Sequence, residues 1–160
     1  MKTKLFVIAS CALLLIAAGC KKNNSDEPEL EPIAGNVETP SWASPETYDM
    51  TASMTAIVKV DLSANYAQQV TKEGWQTGEG DLLAAFSGET CLGVDTLNAD
   101  RTDLFFLYIA GVNEEMTEDI QLRYYSKQLK NIFKAKELIP FSNDAQLGSA
   151  SIPYMPEMVK

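Results

Sequence analysis

The sequence contains no histidine. That absence excludes a Ser-His-Asp or Cys-His catalytic group and any zinc site built on imidazole. Basic charge is scarce: 13 lysines and arginines stand against 22 acidic residues, a net charge of −9. Such a surface repels nucleic acid and anionic lipid and tolerates neutral or cationic partners. Long apolar runs are nearly absent. The longest covers residues 5–19 and is broken only by Ser10. As a helix its 15 residues span about 22 Å, short of the ~30 Å hydrocarbon core. A retained transmembrane helix is therefore not expected. Cysteine is limited to Cys11, Cys20 and Cys91.

What is present at the N-terminus explains two of those cysteines. Lys2 and Lys4 precede the apolar run, and small residues close it in "IAAGC" (16–20). A basic start, a short apolar centre and a small-residue end describe a secretory leader. The thiol directly after the small residues is a suitable nucleophile for a diacylglyceryl group. Ile16, Ala17 or Ala18, Gly19 and Cys20 resemble the lipobox of bacterial lipoproteins. The resemblance implies cleavage before Cys20 and acylation of that residue. Two or more chains, at about 0.8 kcal/mol per buried methylene, hold a protein stably on a bilayer. Loss of Lys2 and Lys4 with the leader deepens the net charge from −9 to −11. Cys11 departs with the leader, Cys20 carries lipid, and Cys91 is left without a disulfide partner. Its neighbours in "SGETCLGVD" are not basic, so nothing in the sequence activates its thiol.

The chain divides into three parts: a leader at 1–19, a lipidated cysteine and disordered acidic tether at 20–40, and a folded domain at 41–160. Residues 21–40, "KKNNSDEPELEPIAGNVETP", are polar and rich in proline and acid. They bury too little to fold, which predicts a flexible, self-repelling tether. Beyond Trp42, "MTAIVKVDL" (54–62) alternates, with Met54, Ala56, Val58, Val60 and Leu62 on one face. "DLLAAF" (81–86) and "LFFLYIA" (104–110) are short continuous apolar runs, as central sandwich strands are. "SGE" (87–89) reads as a hairpin turn. "DIQLRYYS" (119–126) puts Ile120, Leu122 and Tyr124 inward, with Tyr125 on the other face as a surface ring. "NIFKAKEL" and "LIPF" supply later strands. "DLSANYAQQVTKEG" is the best helical candidate, with an extended loop as its alternative. Many short strands separated by turns predict an all-β fold: a single antiparallel, immunoglobulin-like β-sandwich.

Trp42, Tyr48, "SMT" (53–55), "DLLAAFSGETCLGV" (81–94), "YY" (124–125), "IPF" (139–141) and "LGSASIP" (147–153) together resemble a β-rich module of many Bacteroidetes secreted proteins and lipoproteins. That module reads as a tryptophan and "SMT", an "AAF" or "GAF" core, "ECRG", and a late "F…N…LGS…P". The resemblance spans nearly all of the chain beyond the tether and implies no activity. Leu92 stands where the module has an arginine, so any contact made by that arginine is missing here. Acidic residues soon after a lipidated cysteine in these lipoproteins resemble a surface-export signal. Asp26, Glu27, Glu29 and Glu31 begin six positions after Cys20, later than in that signal.

Two residues stand out as candidate ligand contacts. Trp75 lies in the polar, glycine-rich "EGWQTGEG" and could stack on a sugar ring. Asp81, with Gln76 and Glu79, could bond its hydroxyls. The alternatives are a tryptophan folded onto the sandwich edge and an aspartate that accepts backbone N–H groups from its own turn. Glu79, Asp81, Asp95, Asp100 and Asp103 offer oxygen ligands but lack EF-hand spacing, so neither a metal nor any other cofactor is expected. Carboxylates are too plentiful for a glycosidase pair to be read from the sequence. The expected protein is a non-enzymatic, lipid-anchored outer-membrane lipoprotein, exposed on the cell surface or facing the periplasm. Its partners would be the bilayer, through acylated Cys20, and a glycan or an envelope protein, but not nucleic acid. A structural subunit of a surface fibre or complex is the second reading and a glycan hydrolase the third.

Overall fold

A computed structural model describes residues 30–46, 52–101, 103–111 and 118–160. The leader, Cys20, the tether as far as Glu29, and Tyr48 lie outside the described residues. Two sheets and one helix make up an all-β, sandwich-like domain. The smaller sheet has three strands: β1 (Ser53–Val58) in the centre, β4 (Phe105–Ala110) on one side and the two-residue β8 (Gln146–Leu147) on the other. The larger sheet runs β3 (Thr90–Thr96), β2 (Leu82–Ser87), β5 (Asp119–Ser126), β6 (Asn131–Ala135) and β9 (Met158–Val159). β7 (Ile139–Pro140) pairs with the start of β5. Among the described strands every pairing is antiparallel except β1 with β8, and an isolated bridge from Val58 to Tyr154 is also parallel.

The core lies where the two sheets face each other. β1 and β4 supply Met54, Ala56, Val58, Phe105, Leu107 and Ile109; the larger sheet answers with Leu83, Ala85, Leu92, Leu122, Tyr124 and Phe133. These are alternate positions of each strand, as a pleat requires. The alternation expected through Leu62 holds for burial, since Val60 and Leu62 are also inward. The strand itself ends at Val58.

The helical alternative is the one realised: α1 spans Ser63–Glu73. The Asp61 side chain accepts the Ser63 N–H at its start, and Gly74, at φ 58°, closes it in the left-handed region where glycine is strain-free. Its carbonyls at Glu73 and Gly74 accept from the Gln128 amide. No residue of α1 is fully buried; Tyr66 and Val70 rest on the core edge. Among the described residues no helix is long and apolar enough to cross a membrane.

The domain takes in residues that composition alone assigns to the tether. Residues 33–44 cross the outer face of the larger sheet as a strap. Ile33 is 1% exposed, and its carbonyl accepts from the Asn131 amide at 2.8 Å. Gly35 and Val37 donate to the Leu129 and Lys130 carbonyls, both at 2.8 Å. Further along, Trp42 stands edge-on to Phe86 with centroids 5.6 Å apart. Ser44 then accepts the Val94 N–H at 3.0 Å, on the edge strand β3. The strap binds through backbone groups and a few spaced side chains, so its weak apolar content did not announce it.

The strap changes the reading of Tyr125 and covers Phe86. Tyr125 is not a surface ring: it is 3% exposed, and its hydroxyl meets Thr39 and the Val37 carbonyl. Phe86 is buried, but on the strap side rather than between the sheets, with the Arg123 guanidinium 4.1 Å from its centroid. β2 is thus covered on both faces, which is why "LLAAF" is apolar without alternation.

Candidate functional site

Trp75 and Asp81 both lie where the loop after α1 meets the β5–β6 turn, but neither presents itself to solvent as a ligand contact. Asp81 is 2% exposed. Its Oδ2 accepts from the Tyr124 hydroxyl at 2.6 Å and from the Gly78 N–H at 3.0 Å, and its Oδ1 accepts the Lys127 N–H at 2.8 Å. A buried carboxylate needs such donors, and these three use it to lock two turns together. The Gly78 bond is the one visible in the sequence, within the aspartate's own turn. Burial, and then the nearby Asp81 charge, push the Tyr124 hydroxyl well above the usual tyrosine range; it stays a donor. Trp75 turns its ring edge-on to Tyr124, with centroids 6.3 Å apart, and its Nε1 donates to Ser126 Oγ at 3.2 Å.

The loop still forms a shallow depression of about 400 Å³. Gln76, Glu79, Asp81 and Lys127 line it, while Trp75 does not. The structure therefore gathers the polar residues proposed around Trp75, while half-buried Trp75 itself packs on the core edge and does not line the depression. Gln76 and Gln128 are bound to each other, backbone N–H to side-chain oxygen. Among the described residues no group of three carboxylate, cysteine or histidine side chains is arranged to hold a metal ion. Asp95, one of the acids considered for calcium, is instead paired with Arg101.

That pair builds the second candidate site, on the outward face of the smaller sheet. Arg101 grips Asp95 through two nitrogens, at 2.5 and 2.8 Å, and also donates to the Thr96 and Leu104 carbonyls. The bidentate contact holds the guanidinium in its charged form. Asp95 in addition accepts the Phe106 N–H at 2.7 Å, a donor that β4 cannot place in its own sheet. This clasp blunts the edge of β4. The Arg101 guanidinium then lies over the Phe106 ring, 5.1 Å from its centroid.

Phe106 is 46% exposed. The continuous apolar run at 104–110 predicted a central sandwich strand; β4 instead lies at the edge of the smaller sheet and alternates through its first five residues, with Phe106 outward. Register places Ile57 opposite Phe106, and Thr55 between Tyr108 and Gln146. These five side chains share one face, and a depression of about 280 Å³ lies among them. No charged residue lines it. Sequence reasoning missed this face because an apolar run hides its own alternation. The usable signal was the pair of aromatics two positions apart, which must project from the same side of a strand.

Cys91 is half-buried, and burial pushes its thiol up from the ordinary range, against hydrogen bonds from the backbone around it. This agrees with a quiet thiol. Comparison with protein-family models, with curated proteins and with solved structures finds no match to this chain.

Proposed function

We propose that this chain is a lipid-anchored lipoprotein of an outer membrane, acylated at Cys20 and exposed at the cell surface, and that its domain is a non-catalytic binding module. The binding partner on this reading is a glycan or an envelope protein. The observation that supports it is the contrast between its polar corner and the exposed Phe106 ring on the smaller sheet. Asp81, the buried carboxylate, has its oxygens committed to structural donors, while Phe106, Tyr108 and Ile57 form an uncharged outward face with a shallow recess. A recess of that kind suits recognition rather than bond breaking, which calls for positioned acids, bases or nucleophiles. The anchor half of the reading is supported by the path of the chain. The packed region starts close behind the acidic segment, with Ile33 already in the core, so an acylated Cys20 would hold the domain near the bilayer.

Labelling cells with radioactive palmitate, together with protease shaving, tests the anchor and its side. Label should enter the wild-type chain and not a Cys20→Ser form, and shaving of intact cells should remove the domain. Unlabelled wild-type protein would refute the anchor. Protection from protease in intact cells, lost on permeabilisation, would move the module to the periplasmic side.

A further inference from the structure

We propose that the strap at residues 33–44 is a latch. It opens as one unit while both sheets stay folded, and tension on the chain upstream of it favours the open form. The source of that tension rests on the anchor reading; the opening itself does not.

The strap is a locally weak unit. Of its twelve residues only Ile33 is fully buried; Val37, Pro40, Trp42 and Ser44 are half-buried and the other seven are exposed. Its backbone donates at Gly35 and Val37 to the Leu129 and Lys130 carbonyls, and its side chains bond at Thr39 and Ser44. Segments with few buried apolar contacts and exposed hydrogen bonds open at a lower free energy than the whole domain. Ile33, seated in the core cluster, keeps the latch shut at rest.

The order of the holding points sets the response to a pull. They follow one another along the chain and across the larger sheet: Ile33 at Asn131 on β6, Thr39 at Tyr125 on β5, Trp42 at Phe86 on β2, and Ser44 at Val94 on β3. A pull from the Cys20 side loads them one after another, beginning with Ile33. Next in the chain is β1, which is bonded on one side to β4 along its length and on the other to β8. It yields only with its sheet. Freed, the strap extends to roughly 40 Å at most, and a force acting over its lengthening shifts the equilibrium towards the open form.

Opening changes the surface. The Tyr125 hydroxyl meets Thr39 and the Val37 carbonyl, Trp42 stands on Phe86, and the Asn131 amide is bonded to Ile33. Without the strap, two buried rings and a buried amide come to face water. A domain gripped from outside while Cys20 is held in a bilayer converts a pull into a new aromatic surface.

Hydrogen exchange on the mature, lipidated protein in detergent reads the opening. The Gly35 and Val37 amides should exchange about tenfold or more faster than those of Leu83 and Tyr124, on strands paired at both sides. The Val94 amide, bonded to Ser44, reports the far end of the strap. Ile33→Ala should quicken Gly35, Val37 and Val94 together and leave Leu83 and Tyr124 unchanged. Ile33→Val, which keeps most of the bulk, should act the same way in smaller measure and covers poor folding of the alanine form. Strap amides that exchange no faster than Leu83 and Tyr124 overturn the latch. So does a response confined to Gly35 and Val37, which is fraying of one end. Tweezers test the pull on the unacylated chain from residue 20 onward, in a Cys91→Ser background, with DNA handles at Cys20 and at exposed Asp100→Cys. A step of under about 40 Å should precede an unfolding step of several hundred Å. A single step overturns the coupling to tension. Unlabelled protein in the palmitate experiment, with both readouts as expected, refutes the anchor and keeps the latch.

Discussion

The two sheets of this domain treat their outer faces differently. The larger sheet has its outer face roofed by its own chain: residues 33–44 cross it, and Tyr125 and Phe86, which point away from the core, are buried all the same. The smaller sheet has an outer face of similar character, with Ile57, Tyr108 and Phe106, of which Phe106 is exposed. One apolar face is covered by the chain's own strap, while on the other the Phe106 ring stays exposed. Since the same residue types occur on both, composition does not distinguish them; what lies on top of them does.

Five substitutions and one titration would break or sharpen that contrast. The largest effect should come from Asp81→Ala, beneath the rim of the roofed sheet. It strands the Tyr124 hydroxyl and two backbone N–H groups in a buried corner, which should cost about 4 kcal/mol by chemical denaturation. A loss under 1 kcal/mol would mean that the corner is wet and that Asp81 is free for ligand after all. Next comes Ile33→Ala, which pulls the strap's buried anchor and should cost about 3 kcal/mol. If stability is untouched, the roof is not part of the fold and the two faces are alike. Tyr125→Phe removes only the hydroxyl that meets the strap and should cost about 1 kcal/mol.

Alkaline titration probes the rim of the open sheet. The Tyr154 N–H donates to the Ile57 carbonyl on β1, and its hydroxyl donates to Glu137. Burial and then that carboxylate push its hydroxyl up to about 12. Because the folded value lies above the ordinary tyrosine value of about 10, the unfolded chain releases the proton first. This contribution to stability is intact below about pH 10 and is lost as pH rises towards 12. Melting temperature should fall across that window, and Tyr154→Phe should reduce the slope. An unchanged slope would show that Tyr154 is solvated when folded. The smallest effect should be that of Phe106→Ala on stability, about 0.5 kcal/mol or less, as for a residue outside the core. A drop of several kcal/mol would show that the open face is structural, like the roofed one.

How much of this was legible beforehand follows from which signals are local. The inward positions of β5 (Ile120, Leu122, Tyr124) could be read off their spacing, because a pleated strand turns alternate side chains to one side. The helix at Ser63–Glu73 was readable only as one of two options, since its polar residues rest on the core by Tyr66 and Val70 alone. Apart from Trp42, an aromatic suited to docking the tether on the domain and found against Phe86, the strap was illegible. Its hydrogen bonds go to Leu129, Lys130 and Asn131, nearly a hundred positions away in the chain, and no periodicity encodes a partner at that distance. Trp75 was singled out for its glycine-rich surroundings, yet its surroundings in space are Tyr124 and Ser126.

By itself, then, the sequence determined the strand-rich character of the chain, the inward set of its strands and the exclusion of histidine chemistry, since these depend on residue type and short-range spacing. It also carries the lipobox-like segment that motivates the anchor. Only the tertiary structure decided which outer face is covered, that Asp81 and Trp75 hold a corner together, and that Phe106 stands in the open. Those outcomes depend on which distant segments come to lie against one another. Burial and hydrogen bonding belong to those encounters in space and not to any residue's neighbours along the chain.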